Sequence, residues 1–301
     1  MANRTASTMT KGAAARSVRA RLGRADRVHR ATSADGTAIA GEVYGQGAPL
    51  VLVHAGLGHG TQDWAFALPS LTDQFTCYCM STRGRGSSDD AADHSIERSV
   101  EDVTAFVESI GAPVVLAGPS GGAMSVLGAA ARSDAVRAVV ACDPLAFELL
   151  GEEDGARLQA AIERMARLAE EDRFADAARD WMTEWANAEE MAFLEASGWL
   201  EACAVHVPVL LRLLEASADD GYSPTDPSVL GQVEAPALVL LGSDAGALWP
   251  WFTQSAQHVA EHVPDATLHE VAGAGHCGVW MQAERYAEAM KRFVTDGHPP
   301  R

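Results

Sequence analysis

The sequence lacks the features that define several large classes of protein. No apolar run in its 301 residues reaches the roughly 18 to 20 residues that a membrane-spanning helix requires. The N-terminus has no apolar segment of the kind that a secretory signal needs. The five cysteines are odd in number and have no CxxC spacing, so they predict neither a disulfide framework nor a zinc site. Together these absences favour a reducing, cytoplasmic location.

Positive charge is scarce and is concentrated at one end of the chain. There are 23 Lys and Arg residues against 41 Asp and Glu residues, which gives a net charge of −18. Residues 1–30 hold eight of the basic residues and one acid, so they carry +7 while the remainder carries −25. A body this negative does not attract nucleic acid or an anionic membrane, and its field favours neutral or cationic substrates. We expect residues 1–25 to form a basic, disordered arm.

Apolar runs typical of strands alternate with helical patterns through much of the chain. An Asp35-Gly36 turn between two short alternating stretches predicts a hairpin. The runs that predict strands buried on both faces are residues 50–53, 75–80, 114–117, 136–141, 237–241 and 267–271. This order predicts an α/β fold with a mostly parallel central sheet, helices on both faces and an antiparallel hairpin at one edge.

One long stretch, residues 145–231, interrupts this alternation. It contains helix-like sequence with apolar residues such as Leu158, Trp181 and Trp185, and no run typical of a buried strand. Because so long an excursion exceeds an ordinary crossover, we predict a helical cap at 145–231, inserted into a core made of 26–144 and 232–296. The alternative is a pair of extra helices packed on one face of the sheet.

The strongest chemical motif is G-x-S-x-G at residues 118–122. A predicted strand leads into it and an apolar helix follows, which is the context in which this motif forms a nucleophile elbow. The turn would present the oxygen of Ser120 above the sheet, where a helix N-terminus favours negative charge. Ser120 is therefore the predicted nucleophile, and the Gly121 N–H is a natural oxyanion donor. A glycine-rich loop after another predicted strand, at 54–58, could supply a second donor.

A serine needs a neighbouring base, and that base needs an acid to orient it. Of the ten histidines, His276 is the best placed, because it lies on a small-residue loop after the last predicted strand. Two acids are candidates. We favour Asp244, which follows a strand and completes the chain order Ser, Asp, His. Asp143, at the end of the preceding strand, remains the alternative.

Two further patterns resemble metal or cofactor motifs but lack their context. His258 and His262 match H-x-x-E-H, yet the apolar stripe of their predicted helix places both on its flank, and no third ligand follows. The Gly84-Arg85-Gly86 segment lacks the third glycine and the acidic residue of a dinucleotide fingerprint. We therefore predict no metal and no cofactor.

Taken together, these segments resemble the α/β-hydrolase superfamily over about residues 26–296. The motifs that carry the resemblance are the loop His54-Ala55-Gly56, the turn at 83–88, the elbow at Ser120 and the segment Gly273-Ala274-Gly275-His276. The resemblance implies that Ser120 is the nucleophile, that His276 is the base, and that the N–H groups of Gly56 and Gly121 form the oxyanion hole. It also implies a cap inserted after the strand that ends near Asp143.

The sequence departs from the family pattern at the acid. The usual spacing is Gly-x-x-Asp, whereas Gly242-Ser243-Asp244 is one residue shorter. Some members of the superfamily, zearalenone lactonases among them, take the acid from the position of Asp143. The resemblance therefore leaves both carboxylates open.

The resulting prediction is a cofactor-free serine hydrolase that acts through an acyl-enzyme intermediate. The tryptophans that fall in the predicted cap or beside the motif loops are Trp64, Trp181, Trp185, Trp199, Trp249, Trp251 and Trp280. They predict an aromatic-lined pocket for a small, hydrophobic, neutral ester, lactone or thioester, unless they only cement the cap to the sheet. The rival functions are a non-hydrolytic reaction, such as cyclisation or C–C bond cleavage, and a ligand-binding sensor with an idle triad.

Overall fold

An eight-stranded sheet forms the centre of residues 24–218 and 221–295, the part of the chain that the computed structural model describes. Its strands are β1 (Arg27–Thr32), β2 (Ala38–Tyr44), β3 (Ala48–Val53), β4 (Phe75–Ser81), β5 (Val114–Pro119), β6 (Val136–Cys142), β7 (Ala237–Gly242) and β8 (Ala266–Val271). They lie in the order β1-β2-β4-β3-β5-β6-β7-β8. All neighbouring pairs are parallel except the two that β2 makes. The predicted α/β fold, with a mostly parallel sheet and an edge hairpin, is confirmed.

The composition of the strands follows their depth in the sheet. All six residues of β5 and all six of β7 are buried, as their nearly continuous apolar sequences require when helices cover both faces. The prediction that residues 267–271 form a buried strand is wrong for most of that run. β8 is an edge strand in which only Val271 is buried. His269 and Glu270 are exposed there, and polar residues of this kind protect a sheet edge from further pairing.

Helices connect the strands. Before β7 they are α1 (Gly60–Trp64), α2 (Leu68–Leu71), α3 (Ile96–Glu108), α4 (Gly121–Ala130), α5 (Glu152–Glu170), α6 (Phe174–Met182), α7 (Ala188–Ser197), α8 (Trp199–Cys203), α9 (Val207–Ala218) and α10 (Pro227–Leu230). After β7 they are α11 (Ala245–Leu248), α12 (Pro250–His262), α13 (Gly278–Met281) and α14 (Ala283–Thr295). Ile96, Val100, Val103 and Val107 form a buried apolar face of α3, and the Ser95 side chain caps its N-terminus by accepting a hydrogen bond from the Arg98 N–H.

Helices α5 to α10 and two short 3₁₀ turns lie between β6 and β7, and the described residues of this stretch contain no strand. We refer to residues 145–231 as the helical insertion; it occupies the stretch for which the sequence predicts a cap. Residues 1–23, most of the predicted basic arm, lie outside the described residues. Among those described, no single helix is long and apolar enough to cross a membrane, although Ala188–Ser197 and Trp199–Ala218, bent by 72°, meet that test as a pair.

A buried ion pair fixes the loop between β4 and α3. The Arg83 guanidinium donates to both carboxylate oxygens of Asp102 on α3, at 2.9 and 2.7 Å, and the two side chains are 1% and 0% exposed. Arg83 also donates to Asp35 in the hairpin turn and to the Asp93 carbonyl. This one side chain therefore ties the β1–β2 hairpin and α3 to the loop that follows β4.

We predict that Arg83→Met lowers the free energy of unfolding by about 3 to 5 kcal/mol, because it leaves Asp102 as a buried carboxylate without its cation. Chemical denaturation measures this loss. Arg173→Met is the matched control, since Arg173 forms ion pairs only with exposed carboxylates, and it should change stability far less. Equal losses in the two variants would contradict the prediction.

Candidate active site

Ser120 lies in the turn between β5 and α4 with φ 54° and ψ −124°, a conformation that residues other than glycine rarely adopt. Close packing around the turn explains the strain. A Cβ at Gly118 would lie 2.6 Å from the Gly122 carbonyl oxygen, and a Cβ at Gly122 would clash with the His54 carbonyl. Strand and helix therefore approach too closely for a side chain at either glycine, and the turn has the strand–turn–helix geometry that the motif predicts.

His276 lies in residues 272–278, the segment after β8 that we call the histidine loop, and its side chain reaches Ser120. Its Nε2 lies 3.1 Å from the Ser120 Oγ, within the distance over which an imidazole can take the hydroxyl proton. The ring is buried and stacks on Phe252 of α12, with the ring centroids 4.3 Å apart. Burial lowers the pKa of His276 to about 3, so the imidazole is neutral at neutral pH, which is the form that a general base requires.

Gly56 and Gly121 line the same cavity as Ser120. A Cβ at Gly121 would lie 3.5 Å from the Gly56 nitrogen, so the two residues are neighbours in space. Within the described ranges, neither N–H donates to a protein acceptor. Such a pair of donors is what an oxyanion hole needs. His54 shapes the Gly56 loop rather than acting as a base, because its Nε2 accepts the Thr82 N–H at 3.1 Å and its Nδ1 therefore donates to the Ala55 carbonyl.

The two candidate acids occupy different environments. Asp143 is 1% exposed, whereas Asp244 is exposed and its Oδ1 accepts the hydroxyl of Ser243 at 2.9 Å. Neither carboxylate hydrogen-bonds to His276, and the Nδ1 of His276 has no partner among the described residues. The two candidate acids thus differ in burial, and neither contacts the imidazole.

Asp143 is held from two sides. Its Oδ1 accepts the Gly242 N–H at 2.9 Å and its Oδ2 accepts the Tyr286 hydroxyl at 3.0 Å. Burial raises the pKa of Asp143 to about 7. Both donors pack on the histidine loop: a Cβ at Gly242 would clash with the Gly275 carbonyl, and a Cβ at Gly278 would lie 3.0 Å from the Tyr286 hydroxyl. Asp143 therefore lies beside the segment that carries His276.

Glu190, on α7 of the helical insertion, contacts the histidine loop, and the sequence gives no warning of this contact. The side chain is 1% exposed, and its Oε1 accepts the Cys277 N–H at 2.9 Å. A Cβ at Gly275 would lie 2.5 Å from the same oxygen, so the carboxylate touches the backbone on both sides of His276. Burial raises the pKa of Glu190. Its capping box with Asn187 was readable as the start of a helix, but not as a contact with the core.

Asp63 makes a second polar contact between the insertion and the core. It is buried, its Oδ2 accepts the Ala55 N–H at 2.8 Å, and its Oδ1 accepts the indole N–H of Trp199 on α8 at 3.1 Å. Burial raises the pKa of Asp63 to about 7. Since Ala55 precedes Gly56, this carboxylate holds the loop that carries one of the two N–H donors.

A cavity of about 250 Å³ lies between the insertion and the core, lined by Ser120, His276, Gly56 and Gly121. Much of its remaining wall is apolar. The tryptophans divide between two roles: Trp181, Trp185 and Trp280 line the cavity, whereas Trp64, Trp199, Trp249 and Trp251 are buried elsewhere in the packing. Both interpretations of the tryptophans, pocket lining and structural cement, therefore apply to part of the set.

The H-x-x-E-H histidines make ordinary backbone contacts. The Nε2 of His258 lies 2.9 Å from the Thr225 carbonyl, and the Nδ1 of His262 lies 2.9 Å from the His258 carbonyl. Among residues 24–218 and 221–295 there is no group of three His, Cys, Asp or Glu side chains that could hold a metal ion.

Known proteins resemble this chain in sequence pattern and in fold. Residues 50–289 match the model of the alpha/beta hydrolase family. The structure is similar to esterase RhEst1 from Rhodococcus sp. ECU1013, with a TM-score of 0.72 and 20% identity over 89% of this chain and 98% of that chain. The enol-lactonase from Burkholderia xenovorans LB400 has a TM-score of 0.70 and 21% identity, over 89% of this chain and 100% of that chain. An alpha/beta hydrolase from Sphaerobacter thermophilus DSM 20745 has a TM-score of 0.63 and 27% identity, over 86% of this chain and 99% of that chain. No curated protein sequence matches the chain significantly.

We predict that Glu190→Ala slows the labelling of Ser120 by a fluorophosphonate probe about 10- to 100-fold. Without the Glu190 carboxylate the backbone beside His276 loses its acceptor, and a small displacement of a base has effects of this size. Glu190→Gln should recover part of the rate, since its amide oxygen can still accept the Cys277 N–H. Labelling is followed by mass spectrometry, and a thermal melt reports stability. Glu189→Ala, at the exposed neighbouring position, is the control. A Glu190→Ala labelling rate within twofold of this control would show that Glu190 does not position His276.

Proposed function

The chain belongs to the alpha/beta hydrolase family, and from this premise we propose that it is a cofactor-free serine hydrolase acting on small hydrophobic esters, lactones or thioesters. The observation that carries the proposal is the 3.1 Å approach of His276 Nε2 to Ser120 Oγ. The neighbouring N–H groups of Gly56 and Gly121, which have no acceptor within the described residues, support it. A nucleophile, a neutral base and two donors are the parts that acyl transfer requires.

The reaction follows from these positions. His276 takes the proton of Ser120 as the serine oxygen attacks the carbonyl carbon of the substrate. The oxyanion that forms accepts hydrogen bonds from the Gly56 and Gly121 N–H groups, each of a kind that contributes about 2.7 to 4 kcal/mol to transition-state stabilisation. The tetrahedral intermediate collapses, the leaving oxygen or sulfur takes the proton from His276, and the acyl group remains on Ser120. His276 then deprotonates a water that attacks the acyl carbon, and it returns this proton to the Ser120 oxygen as the bond to the acyl group breaks and the acid is released.

The cavity supports a small and largely apolar substrate. Its volume, about 250 Å³, lies just below the range of roughly 300 to 1,000 Å³ typical of ligand pockets. Trp181, Trp185 and Met182 of the helical insertion form part of its wall. A short acyl chain or a small ring fits this combination of size and polarity.

We infer that Asp143, rather than the favoured Asp244, is the acid that assists His276. Asp143 is buried and directly follows β6, the strand next to the one that leads to Ser120, and both of its hydrogen-bond donors pack on the histidine loop. Asp244 is exposed and bonded to its own neighbour. A buried carboxylate stabilises a nearby imidazolium far better than an exposed one, because water and salt screen the exposed charge.

The nucleophile is tested by labelling with a fluorophosphonate, which reacts with activated serines. The wild-type protein should be modified at Ser120, and Ser120→Ala should lose both the label and the hydrolysis of 4-nitrophenyl butyrate. Ser228→Ala, which removes an exposed serine far along the chain, should keep both. Absence of labelling in folded wild-type protein would refute the proposal and favour a binding role.

The acid is tested by comparing Asp143→Asn with Asp244→Asn. We expect Asp143→Asn to lower kcat about 10³- to 10⁴-fold, as the loss of a triad carboxylate does, while Asp244→Asn stays within a few fold of wild type. In the wild type, kcat/KM should rise with pH through about 7, because burial raises the pKa of Asp143 to about 7 and its ionised form is the active one. Asp143→Asn should lack this rise. Near-normal turnover in Asp143→Asn would restore Asp244 as the acid.

A further inference from the structure

Arg85 is a buried cation in the wall of the cavity that holds Ser120. It lies on the loop between β4 and α3 and is 2% exposed. Its Nη1 donates to the Gly58 carbonyl at 2.7 Å, but its buried Nε has no partner, and no ion pair of the described residues includes it. Arg83, two residues earlier and equally buried, is paired with the carboxylates of Asp35 and Asp102. One loop thus carries two buried guanidinium groups, and only the one in the cavity wall lacks a carboxylate partner.

The titratable groups around Arg85 compensate its charge only in part. Asp63 is the acid that acts on it, but both Asp63 oxygens already accept hydrogen bonds, and burial raises the pKa of that carboxyl to about 7. The neighbouring Cys203 is a buried thiol whose pKa burial raises, so it stays neutral, and burial lowers the pKa of His206 to about 3, so it carries no charge. The remaining charged neighbour, Arg212, is itself paired with Asp90. Burial lowers the pKa of Arg85 to about 10, so the guanidinium stays charged at neutral pH.

We propose that Arg85 binds a free carboxylate of the substrate, so that this protein acts on esters, lactones or thioesters that carry one negative charge. This inference rests on the proposed function. Arg85 is the one Lys or Arg among the described residues that line the cavity. Glu148, the one carboxylate in that lining, already accepts hydrogen bonds from the hydroxyls of Ser223 and Thr225, so a single negative charge on the substrate matches Arg85. With Nε and the outer nitrogen available, a guanidinium can hold a carboxylate through two parallel hydrogen bonds.

The charge of the body does not oppose this inference at contact distance. The charge of −25 outside residues 1–30 favours neutral or cationic substrates at long range. At physiological ionic strength, however, charges separated by more than about 8 Å in solvent are largely screened. A carboxylate at Arg85 would be in direct contact within a mostly apolar cavity, where a single pairing is strong. The net charge therefore affects how fast a charged substrate approaches, whereas Arg85 would determine which substrate binds.

The kinetic test uses two substrates that differ only in charge. They are 4-nitrophenyl hydrogen glutarate, which keeps a carboxylate, and 4-nitrophenyl glutaramate, its neutral amide. We expect wild-type kcat/KM to favour the acid about 10-fold or more, as a hydrogen bond to a buried charge allows. Arg85→Gln should lower this ratio about 10- to 100-fold, and Arg85→Lys should retain part of it.

The ratio provides its own control, because a loss of folded protein lowers both rates equally. Arg212→Gln removes a nearby, partly exposed cation that is paired with Asp90, and it should keep the preference. No preference in the wild type, or the same preference in Arg85→Gln, would overturn the inference.

A binding measurement separates this inference from the proposed reaction. In the Ser120→Ala background, calorimetry compares monomethyl glutarate, an anion, with methyl glutaramate, which is neutral. Tighter binding of the anion that is lost in Ser120→Ala/Arg85→Gln would support the carboxylate site even if the wild type hydrolysed neither ester. Equal binding of the two compounds would refute the site even if Ser120 proved to be the nucleophile.

Discussion

The close packing of α4 against the ends of β5 and β3 is the constraint on which the rest of the site depends. Because there is no room for a Cβ at Gly118 or Gly122, the chain turns at Ser120 with a positive φ, a strain of about 1 to 3 kcal/mol that the buried surroundings maintain. The same packing places Gly121 next to Gly56, in the loop after β3, since a Cβ at Gly121 would lie 3.5 Å from the Gly56 nitrogen. This packing therefore positions both the serine and the two residues whose N–H groups would receive the oxyanion.

The helical insertion adds to this arrangement through two buried carboxylate contacts. Glu190 of α7 accepts a hydrogen bond from the residue that follows His276, and Trp199 of α8 donates to Asp63, which holds the residue before Gly56. In each contact a buried acceptor meets a donor of the other part of the molecule, so parting the two would leave an unsatisfied buried group. The helical insertion is thereby linked both to the segment that carries His276 and to the loop that carries Gly56.

Local patterns were enough to predict most of the fold and to name the residues at the centre of the candidate site. The apolar runs of β3 to β7, the Asp35-Gly36 hairpin and the face of α3 are encoded within short segments, as is the turn at Ser120. The errors and omissions concern relations between distant segments. The run at β8 has the composition of a strand, but its exposure follows from its place at the sheet edge.

The acid could not be chosen from sequence for a similar reason. Asp143 and Asp244 both follow sheet strands, and what distinguishes the two is that Asp143 is buried and accepts the Tyr286 hydroxyl, whereas Asp244 is exposed. The places of Glu190 and Arg85 could not be predicted either. Glu190 belongs to a capping box and Arg85 to a glycine-rich turn, and these patterns have the same sequence whether they face solvent, the core or a cavity.

The burial of so many ionisable groups at one place has a consequence for the proposed chemistry. In the resting site the buried His276 has a depressed pKa, while the buried carboxyls of Asp143 and Glu190 have raised ones. Each group alone resists its charged form, because the surroundings solvate charge poorly. In the proposed reaction a positive charge forms on His276, in the loop that Glu190 contacts and on which both donors to Asp143 pack, so an ionised carboxylate there would stabilise it. An environment that disfavours isolated charges in the ground state would then favour the charge pair of the transition state, which is the differential stabilisation that catalysis requires.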